Sequence, residues 1–301
     1  MLERHANTDI HDIVVEQAPP ATPARQAYEA LLQSSLYDAD AARWHGELVN
    51  ATVQDDPAPM SIASLTEVLV AARFNPARAK DLWSRVREAQ YLKGAKVWRG
   101  QAESGGLRRT DLPLFATWAL QHVDAAQARE QFRMLQQSGG YDASSHTWKR
   151  HMVVDNAAAP IETTLQLLGV LIMADEDETA AREEFERWRT AAFDERRGYW
   201  CQRVENQDKR MLFTRCQLLG LLAEARFRPA EARVHWQALR NHPLFYDDER
   251  KLWRKATPPD FARVLNRYTS ADQLLGVLVE DALERRDDAT EREIPRLLTI
   301  N

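Results

Sequence analysis

A tryptophan returns along this chain at nearly constant spacing. Trp44, Trp98, Trp148, Trp200 and Trp253 are separated by 54, 50, 52 and 53 residues. Each closes a short segment that opens on an aromatic residue, as in "SSLYDADAARWHG" from Ser34 to Gly46. A second marker keeps the same interval. Alanine followed four residues later by an aromatic stands at Ala24/Tyr28, Ala79/Trp83, Ala128/Phe132, Ala181/Phe185 and Ala232/Trp236. Two independent markers with one period of about 52 residues define a chain of stacked supersecondary units.

Each unit reads as two helices and a long connection. The first helix is apolar nearly all round, as a buried helix is. Three such stretches carry Gln-Leu-Leu-Gly, at Gln166–Gly169, Gln217–Gly220 and Gln273–Gly276. Glycine costs about 1 kcal/mol in a helix interior, so its return at one place points to close packing there. A turn follows, marked by proline in "RFNPARA" and "RFRPAEA". The second helix is amphipathic, and its alanine and aromatic share a face because they lie four apart. Complete pairs are expected at about 62–91, 112–137, 162–191, 212–240 and 270–299, with a lone second helix near 22–34. Strand is expected only as a short hairpin around each Tyr-Asp…Trp segment.

The alternation of a very apolar helix with an amphipathic one suits an inner and an outer ring. The expected fold is therefore all-α: an α/α toroid of five to six helical hairpins over residues 22–301, with an open α-solenoid as the alternative. Residues 1–21 are either a tail or the first helix of a sixth pair, which "TDIHDIVV" would supply.

Composition limits the partners. Of 301 residues, 44% are hydrophobic and 28% charged, and the formal charge is −5. Without a basic excess, nucleic acid is not an expected ligand. No apolar run reaches the roughly 18 residues that cross a membrane, and no basic segment precedes an apolar one at the N-terminus, so a soluble, cytoplasmic protein is expected. Cys201 and Cys216 fit neither a zinc nor a redox spacing. Phosphate loop, dinucleotide, Gly-x-Ser-x-Gly and His-Glu-x-x-His motifs are missing; no cofactor and no metal are expected.

The repeat resembles the α/α-toroid superfamily, which includes six-hairpin glycosidases with their epimerase and lyase relatives, and the terpenoid cyclase and protein prenyltransferase group. "SLYDADAARWHG" is similar to the Leu-Tyr-Asp…Gly-Leu-Trp-x-His segment of unsaturated-uronyl hydrolases. "AKDLWSRVREAQYLKGAKVW", with Gln90 and Gly94, is similar to the Gln…Gly-x-x-Trp segment of the second group. The first resemblance implies a carbohydrate-active protein, of hydrolase, lyase or epimerase type, acting on or binding an anionic saccharide or another small anion. The alternatives are a non-catalytic scaffold with a protein partner and a terpenoid-cyclase-like protein with an apolar, Trp-lined cavity.

Candidate site residues follow from the connections. An Asp such as Asp38, Asp142, Asp194 or Asp247 fixes a turn through nearby backbone N–H groups. The tryptophans either bury over the helix ends or line a ligand-binding mouth. After each Trp come cations: His45, Arg99, Arg150 and His151 (beside Lys149), Arg203, and Arg254 (beside Lys255). In a closed ring they would converge on an anion, which Arg suits through its two-pronged guanidinium. Glycoside hydrolysis needs two carboxyl groups, one of raised pKa. Glu47, Asp111, Asp155 and Glu205 are the candidates, drawn from a wider set that includes Glu162. Lyase or epimerase chemistry would use His45, His151 or Tyr199 as base. The acidic runs Asp175–Glu178 and Asp287–Glu291 read as caps at helix–helix turns.

Overall fold

The computed structural model describes residues 21–55, 57–102, 107–152, 161–204, 212–257 and 266–297. Ten helices lie among them: α1 (Pro23–Leu31), α2 (Pro57–Phe74), α3 (Pro76–Gln90), α4 (Asp111–Gln121), α5 (Ala125–Gln136), α6 (Thr163–Met173), α7 (Glu178–Ala192), α8 (Thr214–Phe227), α9 (Pro229–Arg240) and α10 (Ser270–Leu297). The even-numbered helices are the inner ring. Each packs on the next, and α10 packs back on α2, which closes the circle. In α6 every residue from Thr163 to Ile172 is buried. The odd-numbered helices form the outer ring. Each buries one stripe at spacings of three and four, such as Ala181, Phe185, Trp188 and Ala192 of α7. The fold is an α/α toroid with five helix pairs among the described residues.

The closure differs from the expected pairing at 270–299. There the chain makes one helix, α10, and Asp287–Glu291 lies inside it rather than at a turn. No glycine or proline interrupts the sequence between Gly276 and Pro295, so nothing stops the helix. Its outer partner is α1, from the opposite end of the chain. The Ala24 N–H donates to Glu284 Oε1 at 3.0 Å. The ring thus closes on residues 22–297; the expected helix at "TDIHDIVV" lies outside the described residues.

Asparagine and aspartate start several outer helices. Asn75, Asp124 and Asp177 accept from backbone N–H groups three residues on at 3.1, 3.0 and 2.9 Å, as N-caps do. Asp177 belongs to the acidic run 175–178.

Each outer helix leads into a two-residue-by-two-residue hairpin: β1 (Tyr37–Asp38) with β2 (Arg43–Trp44), β5 (Tyr91–Leu92) with β6 (Val97–Trp98), β7 (Tyr141–Asp142) with β8 (Thr147–Trp148), β9 (Phe193–Asp194) with β10 (Tyr199–Trp200), and β12 (Tyr246–Asp247) with β13 (Leu252–Trp253). Between the first two hairpins, β3 (Glu47–Val49) pairs with β4 (Thr52–Gln54); β11 (Leu212–Phe213) pairs with β14 (Ala256–Thr257), and β15 (Arg267–Thr269) with β3. The hairpin aspartates hold the turns. Asp38 accepts from the Ala41 N–H at 3.0 Å, Asp142 from Ser144 at 3.0 Å, Asp194 from Arg196 at 3.1 Å and Asp247 from Arg250 at 3.2 Å.

The tryptophan of each hairpin is a clasp between units. All five are buried, at 1–5% exposure. Each ring leans on the aromatic that opens its own hairpin, as Trp148 does on Tyr141 at 4.6 Å. Four also meet an aromatic of their own outer helix, as Trp148 meets Phe132 at 5.7 Å. The indoles of Trp148, Trp200 and Trp253 then lie on Gly169, Gly220 and Gly276 of the next inner helix, where a Cβ would overlap them. The glutamine one turn earlier holds the same tryptophan's backbone twice. Gln217 Oε1 accepts the Trp200 N–H at 2.8 Å and Gln217 Nε2 donates to the Trp200 carbonyl at 2.7 Å; Gln166 and Gln273 do the same for Trp148 and Trp253. The recurrent Gln-Leu-Leu-Gly is therefore a receptor for the preceding unit's hairpin.

Two predictions follow from the clasp. Gly220→Ala gains about 1 kcal/mol of helix propensity but forces the Trp200 indole off its seat, so a net loss of about 1–3 kcal/mol is expected in urea unfolding. The residue two before each Trp has positive φ: Ala42, Lys96, His146 and Lys251 at 48–57°, and Gly198 at 71°. A side chain is strained there by about 1–2 kcal/mol. Lys96→Gly is expected to raise stability by about 0.5–1 kcal/mol, measured the same way.

Candidate functional site

At the N-terminal ends of four inner helices the connections enclose a cavity of about 230 Å³. Asp111 of α4, Thr164 and Leu165 of α6, Arg215 of α8 and Asp272 of α10 line it from the helices. Arg150, Gln202 and Lys255, each two residues past a clasp tryptophan, line it from the connections. Arg109, Glu162 and Phe213, just before inner helices, complete the wall.

The backbone that brings these residues together is itself repeated. At or near the start of four inner helices a Ser or Thr hydroxyl donates to the carbonyl just after a clasp tryptophan. Thr163 donates to Cys201 at 2.6 Å, Ser270 to His45 at 2.6 Å, Ser61 to Arg99 at 3.0 Å, and Thr214 to Arg254. Antiparallel bridges Arg109–His151 and Glu162–Arg203, with the β11–β14 pair, extend the same contact. The ends of the inner helices are thereby tied to one another around the mouth.

Inside the cavity, cations and carboxylates alternate. Arg109 is forked on Asp111, with Nε 3.0 Å from Oδ1. Arg150 donates to Glu162 at 3.1 Å and Arg215 to Asp272 at 3.0 Å. Lys255 pairs with Glu47, which Arg267 also holds. Four cations thus face three carboxyl groups in the lining. Burial raises the Glu162 carboxyl above its ordinary range, and the nearby negative charge of Asp111 adds to the rise; Arg150, Arg203 and Arg109 oppose it without cancelling it. At Glu47 the balance is reversed. Burial pushes its carboxyl up, but hydrogen bonds from Lys255 and Arg267 outweigh that and hold it below the usual range. Glu162 is the better proton donor and Glu47 a fixed negative charge.

The sequence-derived candidates divide accordingly. Asp111 and Arg150 meet in the cavity. Glu47 touches it through Lys255. His45 Nδ1 lies 2.8 Å from Asp55, Arg254 is bound to the buried Asp247 at 2.9 Å, and Arg99 lines a different cavity. His151 and Arg203 sit in the backbone bridges. Tyr199 packs on Phe245 at 5.2 Å. Trp44, Trp98, Trp148, Trp200 and Trp253 are in the seams between units, not in this wall. Asp155 and Glu205 lie outside the described residues. Arg109, Gln202, Phe213, Arg215 and Asp272 are lining residues that the motif reading did not single out. Among the described residues no cluster of His, Cys, Asp and Glu would hold a metal ion, and no helix is long and apolar enough to cross a membrane. The charged lining is unlike the apolar, Trp-lined cavity expected of a terpenoid cyclase.

No protein-family profile matches the chain, and no curated sequence is significantly similar to it. Solved structures are similar in fold. An unsaturated glucuronyl hydrolase specific for heparin aligns over 87% of this chain and 95% of its own, with a TM-score of 0.55 at 9% identity. An α-1,6-mannanase from a Salegentibacter species aligns over 87% and 98%, with a TM-score of 0.52 at 11% identity. A sugar epimerase from a ruminal bacterium aligns over 85% and 79%, with a TM-score of 0.53 at 9% identity. These are six-hairpin glycosidase-like α/α toroids, and at such identities the likeness is one of fold.

The raised Glu162 carboxyl has a stability consequence. The folded protein holds that proton more tightly than the unfolded chain, so Glu162 costs nothing below its ordinary value of 4.5, destabilises increasingly as pH rises from there to the shifted value, and costs the full amount above it. Glu162→Gln is expected to be more stable than the parent at pH 7, with the gap closing by pH 4, in urea unfolding at several pH values.

Proposed function

We propose that this protein is carbohydrate-active and takes an anionic sugar unit into the cavity at the N-terminal ends of the inner helices. The observation that carries the reading is the lining itself. A partly buried carboxyl of raised pKa, Glu162, stands beside a second carboxylate, Asp111, within a set of four cations. Carbohydrate enzymes of hydrolase and epimerase type among the neighbours in fold support it. The size supports a single sugar ring, because about 230 Å³ is below the roughly 300–1,000 Å³ of sites for larger ligands.

The roles follow from the chemistry of each group. Arg150, Arg215 and Lys255 hold the sugar's carboxylate, exchanging their internal partners for it. Phe213 and Leu165 supply the apolar wall on which the C–H face of a pyranose packs. Glu162, whose raised pKa favours its protonated form, gives its proton to a departing or ring oxygen of the sugar. The carboxylate it leaves is stabilised by the Arg150 guanidinium 3.1 Å away. Asp111, fixed by Arg109 and by the Leu112 N–H at 2.9 Å, is the ionised partner that a two-carboxylate reaction needs.

The test is a thermal-shift and calorimetric titration with methyl glucuronide, methyl galacturonide and methyl glucoside. The uronides are expected to raise Tm more than the glucoside, and Arg215→Ala and Lys255→Ala to lose that preference. Equal response to acidic and neutral sugars, or none to either, would contradict the reading. On any uronide that is turned over, Glu162→Gln is expected to lower kcat by about 10²–10⁴-fold.

A further inference from the structure

Three seams of the ring keep one packing rule, and the first departs from it furthest. The residue six after the Ser or Thr near the start of an inner helix is Gly169, Gly220 and Gly276 in three seams and Ala116 in the second, where Pro113 replaces the glutamine. In α2 it is Glu67. Three residues earlier, where Gln166, Gln217 and Gln273 clasp a tryptophan, α2 has Ser64, whose hydroxyl donates to its own helix at the Met60 carbonyl. Two further positions shrink. Val86 stands where the third seam has Trp188, and Ala42 where it has His146. In the third seam the space between hairpin and helices is about 10 Å³, closed partly by Trp188, Gln166 and His146. In the first seam it is a cavity of about 520 Å³. Where a repeat departs from its own packing rule, a function is the usual compensation for the stability lost.

The lining says what kind of ligand fits. Pro57, Met60, Leu82, Val86 and Ala89 give an apolar wall. Arg43, Arg85 and Arg99 face the same space. Arg43 is committed to Asp38 at 3.6 Å and Asp55 at 3.1 Å. Arg85 and Arg99 make no ion pair among the described residues. The one acid in the wall, Glu67, is engaged elsewhere: the Tyr28 hydroxyl donates to it at 3.0 Å and Arg78 reaches it at 3.4 Å. The cavity therefore carries two guanidinium groups that make no ion pair among the described residues, over an apolar floor, with the Arg85 charge also felt by Glu67. This site shares no lining residue with the one at the inner-helix ends, so it does not depend on the function proposed there.

We propose that the seam between the first hairpin, α2 and α3 is a second ligand site, for a small molecule bearing a carboxylate or phosphate on an apolar body, held by Arg85 and Arg99. Calorimetric titration of the full chain with benzoate and with phenyl phosphate tests it and separates the two anions. At least one is expected to bind. Arg85→Ala and Arg99→Ala are each expected to weaken that binding by about tenfold or more. Val86→Trp with Ser64→Gln, which restores the third seam's filling, is expected to abolish it while the circular dichroism remains native. Arg215→Ala, in the other cavity, is expected to leave it unchanged. Failure of both anions to bind at millimolar concentration would overturn the proposal. So would binding that survives both arginine substitutions, or binding that Arg215→Ala removes.

Discussion

The contact on which this architecture rests is the seating of a tryptophan on the next unit's inner helix. A helix pair cannot bury its own apolar face, and neighbouring pairs must supply the cover. Here the cover is specific. The indole sits where glycine leaves room, and the glutamine one turn away satisfies both backbone groups of the same tryptophan. A buried N–H and C=O left without partners would cost roughly 1–3 kcal/mol each. The clasp therefore fixes position and register together, and a displaced hairpin would lose both the burial and the hydrogen bonds.

The same clasp aims the chemistry. The two residues past the tryptophan have different places. The residue at plus one gives its carbonyl to the Ser or Thr at or near the start of an inner helix. The residue at plus two faces the axis, and in three units it is Arg150, Gln202 and Lys255. The charged mouth is thus a by-product of the joints that hold the ring, with each side chain carried by backbone fixed at both ends. In the first unit the clasp is rewritten with Ser64 and Glu67, and a second cavity opens at that seam.

Much of this was legible in the sequence because it is local. The period, the inner and outer helices, the hairpins and the special glycine all come from patterns within one unit. Ring closure was less legible. Residues near 22–34 and 270–297 pair across the whole chain, and nothing nearby in sequence marks α1 as the partner of α10. The cations are legible as a class, but nothing in the motif sets Arg99, Arg254 and His45 apart from Arg150. What separates them is their place after the tryptophan, plus one for these three and plus two for Arg150, and of the two only plus-two residues line the cavity. Asp272 and Arg215 are hard to read as site residues because they sit inside apolar helical stretches, where a charge at the first turn looks like a cap. The recurrent Ser or Thr at Ser61, Thr110, Thr163, Thr214 and Ser270 was the available signal for where the helix ends meet.

The central claim is that the glutamine–tryptophan clasp holds adjacent units, and Gln217→Met tests it most directly. Methionine nearly matches the volume and flexibility of glutamine but offers the Trp200 backbone neither donor nor acceptor. Equilibrium urea unfolding followed in parallel by tryptophan fluorescence and far-ultraviolet circular dichroism is the measurement. The account predicts a loss of about 2–4 kcal/mol in a transition that coincides for both probes. A change below about 0.5 kcal/mol would show that the seam holds without the clasp and would contradict it.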